Sequence, residues 1–374
     1  MTCPLREKSD GRKTGGHILP PEPAKRGDNR RLLKTRSAMR SRRKFLKEMA
    51  GAGACLVMAP PRLAAQAATP RMRVRGINHV TLSVSDVKRS VDFYQGLFGM
   101  PVISRQGSTT NLQIGAGPQF LGVSAAGADP PRLDHLALGV EDFDVERVSR
   151  ILTQRGVNMR VRMRGPDAGG AQAGTPEVYV SDPNGFVIQL QDPRYCGGAG
   201  ALGNVCPAPE PSPRRGLLAP RGWSHTTNSV SDPAASRTFW QDLFGLRIQA
   251  YQGPTSPVLG WGGVEFLVFN TGAAGRGGSG AAPRAAINHL CMTIGNFRPA
   301  TVIKTLEAYG IKPRGDGQGA PGPLVHYISV RREDRGGAKE GTPELYFTDP
   351  DGLIIQLQDV SYCGGSGVLG NVCV

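Results

Sequence analysis

From about residue 75 onward the sequence predicts an α+β protein built from four copies of one module, a strand, a helix and about three further strands. Three observations carry this. A strand phrase with one histidine at a fixed position occurs four times, as I-N-H-V-T-L-S-V at 77–84, L-D-H-L-A-L-G-V at 133–140, W-S-H-T-T-N-S-V at 223–230 and I-N-H-L-C-M-T-I at 287–294. Each copy is followed by a segment of helical periodicity. Two longer stretches then repeat almost residue for residue, G-T-P-E-V-Y-V-S-D-P-N-G-F-V-I-Q-L-Q-D at 174–192 against G-T-P-E-L-Y-F-T-D-P-D-G-L-I-I-Q-L-Q-D at 341–359. The four modules therefore group into two halves, 75–206 and 221–374, joined by a Pro-rich linker at 207–220.

The leading strand alternates with period two. Val80, Leu82 and Val84 are predicted to face a core, and His79, Thr81 and Ser83 the opposite side. In the first helix Asp86 is a plausible N-cap, Val87, Val91, Tyr94 and Phe98 share a face, and Gly99 ends it. In the third module Asp232 and Pro233 open the helix, Trp240, Leu243 and Phe244 are its apolar face, and Gly245 closes it. The second carries Val145, Val148 and Leu152 before Gly156, and the fourth Val302, Leu306 and Tyr309 before Gly310. Short strands are expected at 119–123, 177–180, 186–191, 265–269, 327–330 and 353–358, with D-P-N-G and D-P-D-G as tight turns and Gly-rich loops at 270–282 and 315–323.

The chain's formal charge of +15 would suggest a nucleic-acid partner until it is located. Residues 1–67 hold 16 of the 45 basic residues and only 5 of the 30 acidic ones, so the basicity belongs to the N-terminal segment and no nucleic-acid partner is implied. That segment contains Ser41-Arg42-Arg43-Lys44-Phe45-Leu46-Lys47, which resembles the twin-arginine export signal. An uncharged stretch too short to span a bilayer follows, and then a small-x-small cleavage site at Ala65-Gln66-Ala67. Residues 1–67 are thus read as a leader for the twin-arginine export machinery, with Met39 as a candidate start and no stable membrane anchor. The expected location is the periplasm or the exterior. Cys3 and Cys55 lie in the leader. Of the other five cysteines, Cys196 and Cys206 enclose one Gly-rich tail and Cys363 and Cys373 its twin. Closing each tail on itself is the simplest pairing, at about 3 kcal/mol by loop entropy. A thiolate metal site is the alternative, although the spacing does not match zinc ligands.

The histidine phrase, the F-Y-Q-G-L-F-G and F-W-Q-D-L-F-G helix ends at 93–99 and 239–245, and the D-P-[ND]-G strands together resemble the vicinal oxygen chelate superfamily of glyoxalases, fosfomycin-resistance enzymes, bleomycin-binding proteins and extradiol dioxygenases. The resemblance covers nearly all of 75–192 and 221–359. It implies that two βαβββ modules pair into each curled mixed sheet, giving two such domains, around a divalent metal (Fe, Mn, Zn or Ni). The ligands would be one histidine from the first strand of each module and a glutamate from the last strand. His79 and His135 match the first pair, His225 and His289 the second. At the glutamate position stand Gln189 and Gln356. A neutral amide offers oxygen without charge and should bind a hard cation more weakly.

Parity places Gln189 on the pocket side of its strand, and Glu177 and Tyr179 on the pocket side of the preceding one; Glu344 and Tyr346 repeat this. Glu177 and Glu344 are candidates for the missing anionic ligand or for a general base, and a solvated strand-end carboxylate is the bland alternative. Cys291 shares a face with His289, as a free thiol in the second pocket or a small packed residue. His326 has no assigned role. Thr226 and Asn228, more polar than Val80 and Leu82, favour the first half as the better-formed site. The resulting expectation is an exported metal-dependent enzyme acting on a small oxygenated metabolite, an isomerase, lyase, transferase or dioxygenase. The alternatives are a metal-free binding protein and an arrangement with one catalytic and one degenerate half.

Overall fold

The computed structural model describes residues 71–271, 284–317 and 319–374. The leader expected over 1–67, with its twin arginines, Cys3 and Cys55, and nearly all of the Gly-rich segment 270–282, lie outside the described residues.

The first module is β1 (Val74–Val84), α1 (Val87–Phe98), β2 (Val102–Gln106), β3 (Thr109–Gln113) and β4 (Phe120–Ala125). The second is β5 (Arg132–Val140), α2 (Val145–Gln154), β6 (Met159–Arg164), β7 (Thr175–Ser181) and β8 (Val187–Gln191). The third is β9 (Pro220–Ser229), α3 (Pro233–Phe244), β10 (Arg247–Tyr251), β11 (Pro257–Gly260) and β12 (Phe266–Asn270). The fourth is β13 (Ala286–Ile294), α4 (Pro299–Ala308), β14 (Lys312–Pro313), β15 (Val325–Arg331), β16 (Thr342–Thr348) and β17 (Ile354–Asp359). Each half makes one mixed sheet, in the orders β2-β3-β4-β1-β5-β8-β7-β6 and β10-β11-β12-β9-β13-β17-β16-β15-β14. In both, the two histidine strands pair antiparallel at the centre, so the modules of a half meet along that seam.

Local chemistry starts and stops the helices, at α1 and α3 with the residues expected. Asp86, Asp144 and Asp232 accept backbone N–H groups of the first turn, and Gly99 and Gly245 take the left-handed conformation that ends α1 and α3. Helix α4 begins at Arg298-Pro299, where proline stands in for a side-chain cap.

The two halves do not keep separate cores. Tyr94 of α1 donates its hydroxyl to Asp349 at 3.1 Å, and Trp240 of α3 donates its indole N–H to Asp182 at 3.2 Å. Each of these aspartates belongs to the D-P-[ND]-G turn of the opposite half. Phe93 and Phe98 lie against Phe347, and Phe186 against Phe269. One buried cluster consequently runs through Tyr94, Leu97, Leu138, Trp240, Leu290 and Leu357. The linker is packed as well. Glu210 exchanges backbone hydrogen bonds with Val102, and the Leu217 and Leu218 amides donate to the Leu97 carbonyl. Both tail disulfides, Cys196–Cys206 and Cys363–Cys373, are formed. No helix among the described residues is long and apolar enough to cross a membrane.

Where the halves meet beside β1, Glu265 accepts the Ile77 amide at 2.5 Å and the Gln119 side-chain amide at 3.0 Å. Glu265 and Gln119 occupy equivalent positions in the two halves, so a carboxylate faces an amide across the seam. Burial pushes the Glu265 carboxyl up to about 7. A carboxyl raised in the folded state contributes fully below its unfolded value of about 4.5, and that contribution is lost as pH rises through 7. Wild-type protein should therefore lose up to about 3 kcal/mol relative to Glu265→Gln between pH 4.5 and 8. Paired urea melts across that range check this, and a difference independent of pH would contradict it.

Candidate metal centre

Register assembles the site. In the first half β1 and β5 set His79 opposite Ala137 and Thr81 opposite His135, while β8 runs parallel to β5 with Gln189 beside Ala137. His79, Ala137 and Gln189 thus form a row across three strands, and His135 sits diagonally from His79. Their imidazole centroids are 5.5 Å apart, edge to face. The second half repeats the pattern with His225, Cys291 and Gln356 in the row and His289 on the diagonal, again at 5.5 Å.

A second device aims the rings. The ladder skips one residue at each histidine, and the skipped residue is the one before it: Asn78 and Asp134 in the first half, Ser224 and Asn288 in the second. A bulge turns a side chain that would otherwise point to the opposite face. Each skipped residue meets Nδ1 of the imidazole that follows: Asn78 Oδ1 at 2.7 Å, Asp134 Oδ2 at 2.9 Å, Ser224 Oγ at 3.0 Å and Asn288 Oδ1 at 2.9 Å. The carbonyl and carboxylate oxygens accept there, which places the ring proton on Nδ1 and the lone pair on Nε2, where the Thr81 hydroxyl lies 3.4 Å from His135. His79 and His225 are further held by stacking on Phe120 and Phe266, at 4.4 and 4.3 Å.

The histidine face of the first sheet lines a cavity of about 340 Å³ that includes His79, His135, Arg162, Glu177 and Gln189. Burial and the neighbouring imidazole hold His79 and His225 well below the ordinary histidine range, and burial lowers His289 to about 4. Neutral imidazole is the form that binds metal. The Gln189 side chain faces His79, and the Gln356 side chain faces both His225 and His289. In the second half His289 Nε2 and both polar atoms of the Gln356 amide are buried without a well-directed hydrogen bond. Of these, His289 Nε2 and the Gln356 amide oxygen are donors that a divalent cation accepts. No group of three His, Cys, Asp or Glu side chains able to hold a metal occurs among the described residues, because the third donor of each set is an amide.

Glu177 and Glu344 face the pocket side, as parity requires, but neither is the solvated carboxylate of the bland reading. Glu177 is 1 % exposed. It accepts Nε of Arg162 at 2.7 Å, Nε of Arg164 at 2.9 Å, and the hydroxyls of Tyr195 and Tyr179 at 2.9 and 3.2 Å. Glu344 accepts Arg331 Nε at 2.8 Å and the hydroxyls of Tyr362 and Tyr346. To act as base or ligand, either carboxylate must give up these partners. Tyr179 and Tyr346 stand edge-on to His135 and His289, at 6.0 and 5.3 Å, and burial raises both phenols. Arg160 lies over Tyr179 at 4.8 Å, whereas in the second half Tyr327 stacks on Tyr346 at 5.0 Å. Cys291 is a buried free thiol at the place of Ala137. His326 is buried next to Glu307 of α4.

The sequence reading missed the arginines and the second pair of tyrosines. Arg164 and Arg331 each brace a disulfide tail as well, through the carbonyls of Gly198 and Gly365. Their signal was the repeat itself, since Arg164 answers Arg331 and Tyr195 answers Tyr362. With Arg164 only 2 % exposed at its side chain, Glu177→Gln strands a buried guanidinium. It should cost about 3–5 kcal/mol in chemical denaturation, and a neutral substitution would contradict the buried pairing.

Residues 76–190 match the model of the Glyoxalase/Bleomycin resistance protein/Dioxygenase superfamily. The chain is 26 % identical over 123 residues to the metallothiol transferase FosB of Staphylococcus saprophyticus, covering 31 % of this chain and 76 % of that protein. It is 28 % identical over 121 residues to the glutathione transferase FosA of Serratia marcescens, covering 31 % and 80 %. Its fold is similar to that of the Mn(II)-bound glyoxalase from Novosphingobium aromaticivorans, with a TM-score of 0.52 at 16 % identity over 77 % of this chain and 83 % of that one. An extradiol ring-cleaving dioxygenase from B. fuscum is similar at a TM-score of 0.52 and 18 % identity, over 78 % and 74 %. These relatives and neighbours are enzymes, in agreement with reading the chain as one.

Proposed function

We propose that the chain is an exported, metal-dependent enzyme of the vicinal oxygen chelate type that acts on a small oxygenated metabolite. The observation that carries this is the inward convergence of two imidazoles, each anchored at Nδ1, with an amide in the same row. His79, His135 and Gln189 would hold one divalent ion, and His225, His289 and Gln356 a second. A bound ion supplies Lewis acidity toward two neighbouring substrate oxygens. The chain's own residues do the rest. Burial keeps His79 neutral, Asn78 and Asp134 fix the orientation of His79 and His135, and the first cavity admits a small ligand. Glu177 lines the same cavity and is the candidate proton acceptor, with the Tyr179 hydroxyl donating to it. Isomerase, lyase, transferase and dioxygenase chemistry all fit a chelated substrate. In the second half Tyr346 stands edge-on to His289 and Tyr327 stacks on Tyr346 where the first half has Arg160, which supports the first half as the working site.

One observation favours a second reading, a metal-free pocket that sequesters its ligand. Neither donor set includes an anion, since Glu177 and Glu344 are engaged by arginines. Elemental analysis separates the two. The enzyme reading predicts one ion per intact donor set, lost from the affected half in His79→Ala/His135→Ala and in His225→Ala/His289→Ala. Folded protein that stays metal-free after incubation with Mn²⁺ or Fe²⁺ supports sequestration.

Export through the twin-arginine machinery rests on Arg42 and Arg43 within the leader motif. Cell fractionation of Arg42→Lys/Arg43→Lys should find precursor retained in the cytoplasm. Undiminished export of that variant would contradict the assignment.

A further inference from the structure

We propose that the first-half pocket recognises its ligand through an oxyanion, a carboxylate or phosphate group, seated on Arg162, and that the second half lacks this recognition. The inference names the ligand class of the pocket proposed above and rests on that pocket being the ligand site.

The two halves act as each other's control. In the second, Glu344 is buried with one arginine, Arg331, and two tyrosine hydroxyls, and that set satisfies it. The first half holds the equivalent set around Glu177 in Arg164, Tyr179 and Tyr195, and adds Arg162. The β6–β7 register places Arg162 opposite Glu177, and the β15–β16 register places Ser329 opposite Glu344. Burying the glutamate therefore does not require a second arginine. Glu177, Arg162 and Arg164 together carry one surplus positive charge, while Glu344 and Arg331 cancel.

The surplus charge faces the ligand space. Arg162 is 54 % exposed at its side chain, in contrast to Arg164, and it lines the cavity with His79, His135 and Gln189. Among the described residues its one acceptor is Glu177, reached through Nε and Nη2. Glu177 thus fixes the guanidinium from one edge and leaves Nη1 unpaired. A planar guanidinium edge is suited to two oxygens of a carboxylate or phosphate. The cavity's other acid, Asp134, is already held by Arg132 and His135, so it does not cancel this charge. Arg160, over Tyr179, adds a further cation where the second half has Tyr327.

The test is calorimetric titration of full-length, EDTA-treated protein with benzoate, phenyl phosphate and the neutral benzyl alcohol, on wild type, Arg162→Ser and Arg162→Lys. Circular dichroism confirms the fold of each. Wild type should bind one or both oxyanions and not the alcohol. Arg162→Ser should weaken that binding about tenfold or more, with Arg162→Lys intermediate. Comparison of benzoate with phenyl phosphate tells which oxyanion fits. Equal affinity in wild type and Arg162→Ser, or no oxyanion binding by folded wild type, overturns the proposal. Metal content is measured on parallel preparations of the same proteins incubated with Mn²⁺ in place of EDTA. Metal loading without Arg162-dependent binding leaves the metal reading standing and removes this one, and the converse pattern does the opposite.

Discussion

The site depends on how two antiparallel strands are registered at the centre of each sheet, with one bulge before every histidine. Register alone brings His79 and His135 onto one face, diagonally apart, and puts Gln189 in line with His79 across Ala137. Without the bulges, Asn78 and Asp134 would point to the opposite face and the imidazoles would lose their Nδ1 partners. A slip of one residue would bury the histidines among the core side chains and expose Val80 and Leu82 instead. The shared core opposes such a slip, because Val80, Leu82, Leu136 and Leu138 are all fully buried on the other face.

A second layer of constraint lies behind the imidazoles. Each half buries a glutamate against an arginine that also ties down its disulfide-closed tail. Removing one member of such a cluster leaves an uncompensated charge, so the cluster fixes the last strands relative to the tail. The two halves share this frame but differ where it meets the pocket wall. The first has Arg160, Arg162, Asp134 and Ala137, and the second has Tyr327, Ser329, Asn288 and Cys291 at the same positions. Duplication followed by divergence at the pocket wall accounts for that pattern, and it separates residues the fold needs from residues free to set specificity.

Much of this was legible from the chain. The period-two alternation of Val80, Leu82 and Val84 against His79, Thr81 and Ser83 placed the histidines on the pocket side, and alignment on the D-P-[ND]-G turns located Gln189 and Gln356, with parity turning Gln189 inward. The bulges were not legible as geometry, although their trace is present in the Asx or Ser before each histidine. Strict alternation assigns Asn78 and Asp134 to the wrong face because it assumes an unbroken ladder. The engagement of Glu177 was hidden for another reason. Its partners Arg164 and Tyr195 are distant in sequence and come together only when β6, β7 and the tail are packed. The exchange of α1 and α3 contacts between halves was likewise invisible, since the same apolar faces would serve either a separate or a common core.

The most direct test of the account is anomalous diffraction from crystals grown with Mn²⁺. It predicts a peak within bonding distance of His79 Nε2, His135 Nε2 and the Gln189 side-chain oxygen. Clear density for those three side chains in their present positions, with no anomalous peak between them, would contradict it.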